Sequence, residues 1–99
     1  MATHYPDVFN ELLSNCARYR EKSLDLMGLK AAIWNASQEV VAVQEKSYRD
    51  ALQKAEGELD ILQFTIGQAQ LFEETLVVVD EVEKIAREAL ADDDSESNS

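Results

Sequence analysis

Residues 26–66 read LMGLKAAIWNASQEVVAVQEKSYRDALQKAEGELDILQFTI, and the spacing of their apolar positions decides the fold. Leu26, Leu29, Ile33, Ala36, Val40 and Val43 follow steps of 3-4-3-4-3, the stripe of an amphipathic helix. Tyr48, Leu52, Ala55, Leu59, Leu62 and Ile66 resume at 4-3-4-3-4. Between them, Val43 to Tyr48 is a step of five, which loses helical phase. The spacing therefore predicts two helices with a break near 43–46, a single bent helix being the alternative. Glu45–Arg49 and Lys46–Asp50 are opposite charges at i,i+4 and support helix just after the break. Val40, Val41 and Val43 have strand propensity, but nothing in the sequence offers them a pairing strand.

Outward from this segment the same periodicity holds. Pro6 suits the first turn of a helix, with Asp7 and Glu11 near its positive end. Val8, Phe9, Leu12, Cys16 and Tyr19 share one side, which predicts a first helix over about 6–20. Ser23 is a candidate N-cap for the second, although Gly28 costs about 1 kcal/mol inside a helix and argues for a later start. Met27, Trp34 and Val41 form a second stripe on that helix and suggest that it packs between two neighbours, with Trp34 as a core anchor. Thr65–Gly67 reads as the next turn, Gly67 serving as C-cap. Leu71, Thr75, Val78, Val82, Ile85 and Ala89 then repeat 4-3-4-3-4, and this phasing outweighs the strand propensity of Val77–Val79.

The expected fold is all-α: a small bundle of about four helices. It forms one domain over 1–90, followed by an acidic tail over 91–99 too polar to order. Helices two to four are expected to supply most of the core, with the first lying across them. At 11.1 kDa the surface should fall from about 16,000 Å² to about 5,600 Å² on folding, enough for a modest core.

Charge excludes some partners. Of the 99 residues, twenty are acidic and nine basic, a net charge of −11, so a nucleic-acid backbone or an anionic membrane would be repelled. No apolar run is long enough to span a membrane and no secretory leader is visible, which points to the cytoplasm.

Chemistry-bearing residues are few. A lone cysteine and a lone histidine give no disulfide framework, cysteine zinc site or paired-histidine metal motif. His4 lies beside the N-terminus, outside the expected core, and Cys16 falls on the apolar side of the first helix, where a thiol packs as a small hydrophobe. Glu56 and Asp60, one turn apart, could share a cation; Asp92–Asp94 lack the alternating ligands and glycine of an EF-hand loop. No phosphate-binding glycine pattern is present. Trp34-Asn35-Ala36 lies inside a helical stripe and lacks the Trp-x-Gly turn of small secreted helical hairpins. The expectation is therefore a protein without catalytic residues, cofactor or metal.

The acidity is uneven. Residues 1–50 hold seven acids and six bases, whereas 51–99 hold thirteen and three. From Ala55 through Glu83 there are eight acids and no Lys or Arg. Gly57, Ile61 and Phe64 share a face opposite the third helix's main stripe, rimmed by Glu56, Glu58 and Asp60. Either the first helix covers this face, or it is an interface. With Glu73, Glu74, Asp80 and Glu81 on the last helix, an interface would suit a basic protein. Two functional expectations follow. The first is a non-enzymatic binding module of the antitoxin, immunity or inhibitor kind, neutralising a basic, nucleic-acid-acting protein through these nine acidic and apolar residues other than Gly57. The second is a structural or regulatory subunit that forms a homodimer through an apolar face.

Overall fold

The computed structural model describes residues 5–97. Its four helices are α1 (Pro6–Arg20), α2 (Leu26–Glu39), α3 (Lys46–Thr65) and α4 (Gln68–Ser97), with a single 3-10 turn at Val43–Glu45. No strand occurs among the described residues. The phase break is thus a true interruption: Val40 ends α2, Ala42 is extended, and α3 begins afresh. The Tyr5 hydroxyl accepts the Val41 and Ala42 N–H groups at 3.3 and 3.1 Å, adding to the bond that the Val41 N–H makes to the Glu39 carbonyl at 3.1 Å.

Helix ends follow local chemistry. Pro6 opens α1 and Arg18 and Arg20 lie in its last turn, matching the helix dipole. α1 closes without glycine. Lys22 adopts φ 65° while its N–H reaches the Tyr19 carbonyl, and the Ser23 N–H reaches that of Arg18, the two bonds of a Schellman cap. Ser23 is therefore part of the α1 cap rather than the α2 N-cap. That role belongs to Asp25, whose carboxylate accepts the Gly28 N–H at 2.8 Å. Gly67 also departs from expectation. α3 ends at extended Ile66, and the Gly67 carbonyl accepts the Gln70 and Leu71 N–H groups, so Gly67 starts α4 rather than capping α3.

Short connections set neighbouring helices antiparallel. α1 packs on α2, α2 on α3, α3 on α4, and α4 returns to α1, which closes a ring. α1 is accordingly a full wall of the bundle, not a helix lying across the other three. It contributes Phe9, Leu12, Cys16 and Tyr19 to the core. Leu29, Ile33, Ala36 and Val40 come from α2 and its cap, Leu52, Ala55 and Leu59 from α3, and Val78, Val79, Val82, Ala86 and Ala89 from α4. Aromatic pairs close both ends of the core. Phe9 meets Tyr48 edge-on at 5.8 Å, and Tyr19 stacks on Phe72 at 5.3 Å. Leu90 is the last side chain described as packing on this core. The α4 backbone continues to Ser97, over most of the expected tail; no side chain after Ala91 is described, and residues 98–99 lie outside the described residues.

The second stripe of α2 does not enter the core. Met27 and Val41 are each 63% exposed and Trp34 is 47% exposed, so Trp34 is not a core anchor. α2 meets both its neighbours through the main stripe and its flanks, which leaves the second stripe facing outward. Ile33→Ala should cost about 3 kcal/mol through lost burial and a cavity, whereas Trp34→Ala should cost about 1 kcal/mol or less. Urea denaturation of the two variants checks the contrast.

Candidate functional site

The outer face of α3 is open. α1 packs on α2 and α4, diagonally opposite α3, so the expectation that α1 covers Gly57, Ile61 and Phe64 is not met. Ile61 is 63% and Phe64 84% exposed, and a Cβ added to Gly57 would meet nothing within 4 Å. The contrast with Gly28 is informative. There a Cβ would lie 2.5 Å from Leu24 Cδ1, so the loop packing itself accounts for the glycine. Nothing among the described residues accounts for Gly57.

Beside this face, α3 and α4 enclose a shallow depression of about 270 Å³, lined by Glu58, Ile61, Leu62, Glu74, Val77 and Val78. Glu58 also borders a second hollow of about 370 Å³ farther along the same seam, where Lys54 and Lys84 join Glu81 and Glu88. The two form one groove with a wholly acidic end and a mixed end. Val77, 56% exposed, is a wall of this groove that was absent from the expected site residues. Its 100° offset from Val78 was the available signal.

The nine expected site residues divide among three places. Glu58, Ile61, Glu74 and Glu81 line the α3–α4 groove, with Phe64 and Glu73 exposed on the same two helices. Asp60 instead pairs with Lys30 of α2, whose ammonium also donates to Gln63 Oε1 at 3.1 Å. Glu56, one turn before Asp60, shares that α2-facing side of α3 by helical phase. Asp80 pairs with Arg20 of α1, which also bonds Glu83 at 2.7 and 3.2 Å. The hydrogen bonds to Glu83 and then Asp80 hold the Arg20 guanidinium more firmly protonated than usual. Asp60 and Asp80 therefore serve internal seams. Glu58, Glu73, Glu74 and Glu81 form no ion pair among the described residues.

Other surfaces offer less. A depression of about 530 Å³ between α1 and α2 is lined by small, aliphatic and amide side chains with Glu11 and Glu39, without a cation or nucleophile among the described residues. No group of three or more metal-binding side chains is assembled among the described residues, and His4 lies outside them. Cys16 is fully buried, and its thiol pKa is pushed from 9.0 to about 12, chiefly by burial and then by the charge of Glu83. No helix among the described residues is long and apolar enough to cross a membrane. No protein-family model, curated protein or solved structure matches the chain.

Three outcomes follow. Gly57→Ala should raise stability by about 1 kcal/mol in denaturant melts, because helix propensity improves and the new methyl meets no obstacle. Cys16 should resist thiol reagents at pH 8 until the chain unfolds. Its raised folded pKa contributes stability that is complete below pH 9.0 and lost as pH rises toward 12. Cys16→Ala should therefore show a flatter decline in stability across that window than the parent protein.

Proposed function

We propose that the protein is a non-enzymatic binding module of the antitoxin, immunity or inhibitor kind. Its α3–α4 face would neutralise a basic, nucleic-acid-acting protein in the cytoplasm. The observation that carries this reading is the apolar group Ile61, Phe64 and Val77, left exposed after four helices have closed on one another. Carboxylates of Glu58, Glu73, Glu74 and Glu81 stand on the same two helices, in a stretch free of Lys and Arg from Ala55 through Glu83. Proteins that act on nucleic acid carry basic surfaces shaped for phosphate. An acidic rim steers such a surface into contact, and a desolvated apolar centre then holds it.

A homodimer is the second reading, favoured by the exposed Met27 and Trp34 on α2. The α3–α4 face is poorly suited to meet its own copy, since like charges would oppose each other. The test is a tagged pull-down from the native host with mass identification, followed by association kinetics of what is captured. Glu58→Lys, Glu74→Lys and Glu81→Lys together should slow association with a basic partner about tenfold or more at low salt, and less at high salt. Asp80 is left unchanged to preserve its pair with Arg20. An unchanged association rate would overturn the assignment. Light scattering covers the second reading: a dimer dispersed by Trp34→Asp but not by the charge reversals would replace the first.

A further inference from the structure

We infer that the occupant of the α3–α4 face is a basic amphipathic α-helix of the partner, lying against α3 with its closest approach at Gly57. This rests on the binding face proposed above and specifies what that face receives. Gly57 lies inside a twenty-residue helix, carries no positive φ, and borders open space. A mid-helix glycine is unfavourable unless another backbone comes close. No described segment of this chain does so there, and the close approach is assigned to a partner.

The surroundings select the shape and charge of what approaches. Ile61 lies one turn and Phe64 two turns after Gly57, so the three form a short ridge along α3. A helix crossing at the smallest residue of such a ridge can bring its axis close while its apolar stripe covers the next two turns. Val77 supplies the facing apolar wall from α4, across the hollow that Ile61 borders. At this end Glu58 and Glu74 are the only charged groups among the described residues that line the groove, and Glu73 stands exposed on α4. Lys54 and Lys84 lie at the other end. The basic turns of an incoming helix are therefore drawn to the Ile61–Glu74 end. A second copy of this acidic chain would meet like charge at the same place.

A synthetic amphipathic peptide of about 18 residues, five helical turns, with Leu and Ala on one side and Lys and Arg on the other, is a suitable probe. Its comparison peptide has the same composition with two residues replaced by proline. Binding to the full chain is followed by amide NMR shifts and by titration at low and high salt. The helical peptide should shift Gly57, Ile61, Phe64 and Val77 and weaken with salt, and the proline peptide should bind at least tenfold less tightly. Gly57→Leu should keep the helical circular dichroism and melt no lower than the parent protein, yet weaken the helical peptide at least tenfold. Equal binding by Gly57→Leu, or by the proline peptide, overturns the helix inference. If the triple lysine variant still loses binding in that case, the acidic face stands without it. If neither peptide binds the parent protein at low salt, both readings are overturned. Concentration-dependent dimerisation abolished by Gly57→Leu would replace the partner helix with a second copy.

Discussion

The seam between α1 and α4 is the constraint on which the rest of the bundle depends. α4 presents Val78, Val79, Val82, Ala86 and Ala89, a wide surface of small side chains that one neighbour could not cover. α3 shields one flank and α1 the other, where Arg20 ties the two helices through Asp80 and Glu83. Once α1 is committed there, it stands across the core from α3. The outer side of α3 is then uncovered for a topological reason, and its apolar residues are a consequence of how the ring closes.

Internal pairing also redistributes charge. Arg20, Lys30 and Lys46, three of the six bases in the first half, are held by Asp80 and Glu83, Asp60, and Asp50. Acids near the α1–α4 and α2–α3 seams are thereby offset. Glu58, Glu73 and Glu74, toward the Ile61 end of the open α3–α4 side, form no such pairs among the described residues, so the field there is more one-sided than the sequence total implies. Exposed pairs of this kind add little to stability, and their effect on where net charge resides is the larger one.

Helical periodicity made the elements legible: the step of five before Tyr48 marked a genuine break, and the stripes of Leu29–Val40 and Leu52–Leu59 are the core. Periodicity says nothing about which helix meets which, so the diagonal placement of α1 was invisible. The same limit hid the partners of Asp60 and Asp80, which lie 30 and 60 residues away in the chain. Trp34 misled for a different reason: with Met27 and Val41 it forms a second apolar stripe that suggested a second packed side, yet all three side chains are exposed. The Lys22 cap carried no glycine to announce it, yet a left-handed lysine closes α1 and sets its ammonium 4.9 Å from the Phe72 ring centroid. Within the candidate site, composition identified the acidic helices, but only packing separated groove-lining acids from seam-forming ones.

Ile66 and Gly67 are the whole connection between α3 and α4. Two helices joined so tightly, and packed along their lengths, cannot part at that end without opening the core. The walls of the groove are consequently set during folding, and the conformational entropy of arranging them is spent before any ligand arrives. A rigid receptor of this kind loses little freedom on association, so contacts made there contribute more of their strength to residence time. The shortest loop in the chain thus governs how long a bound molecule would stay.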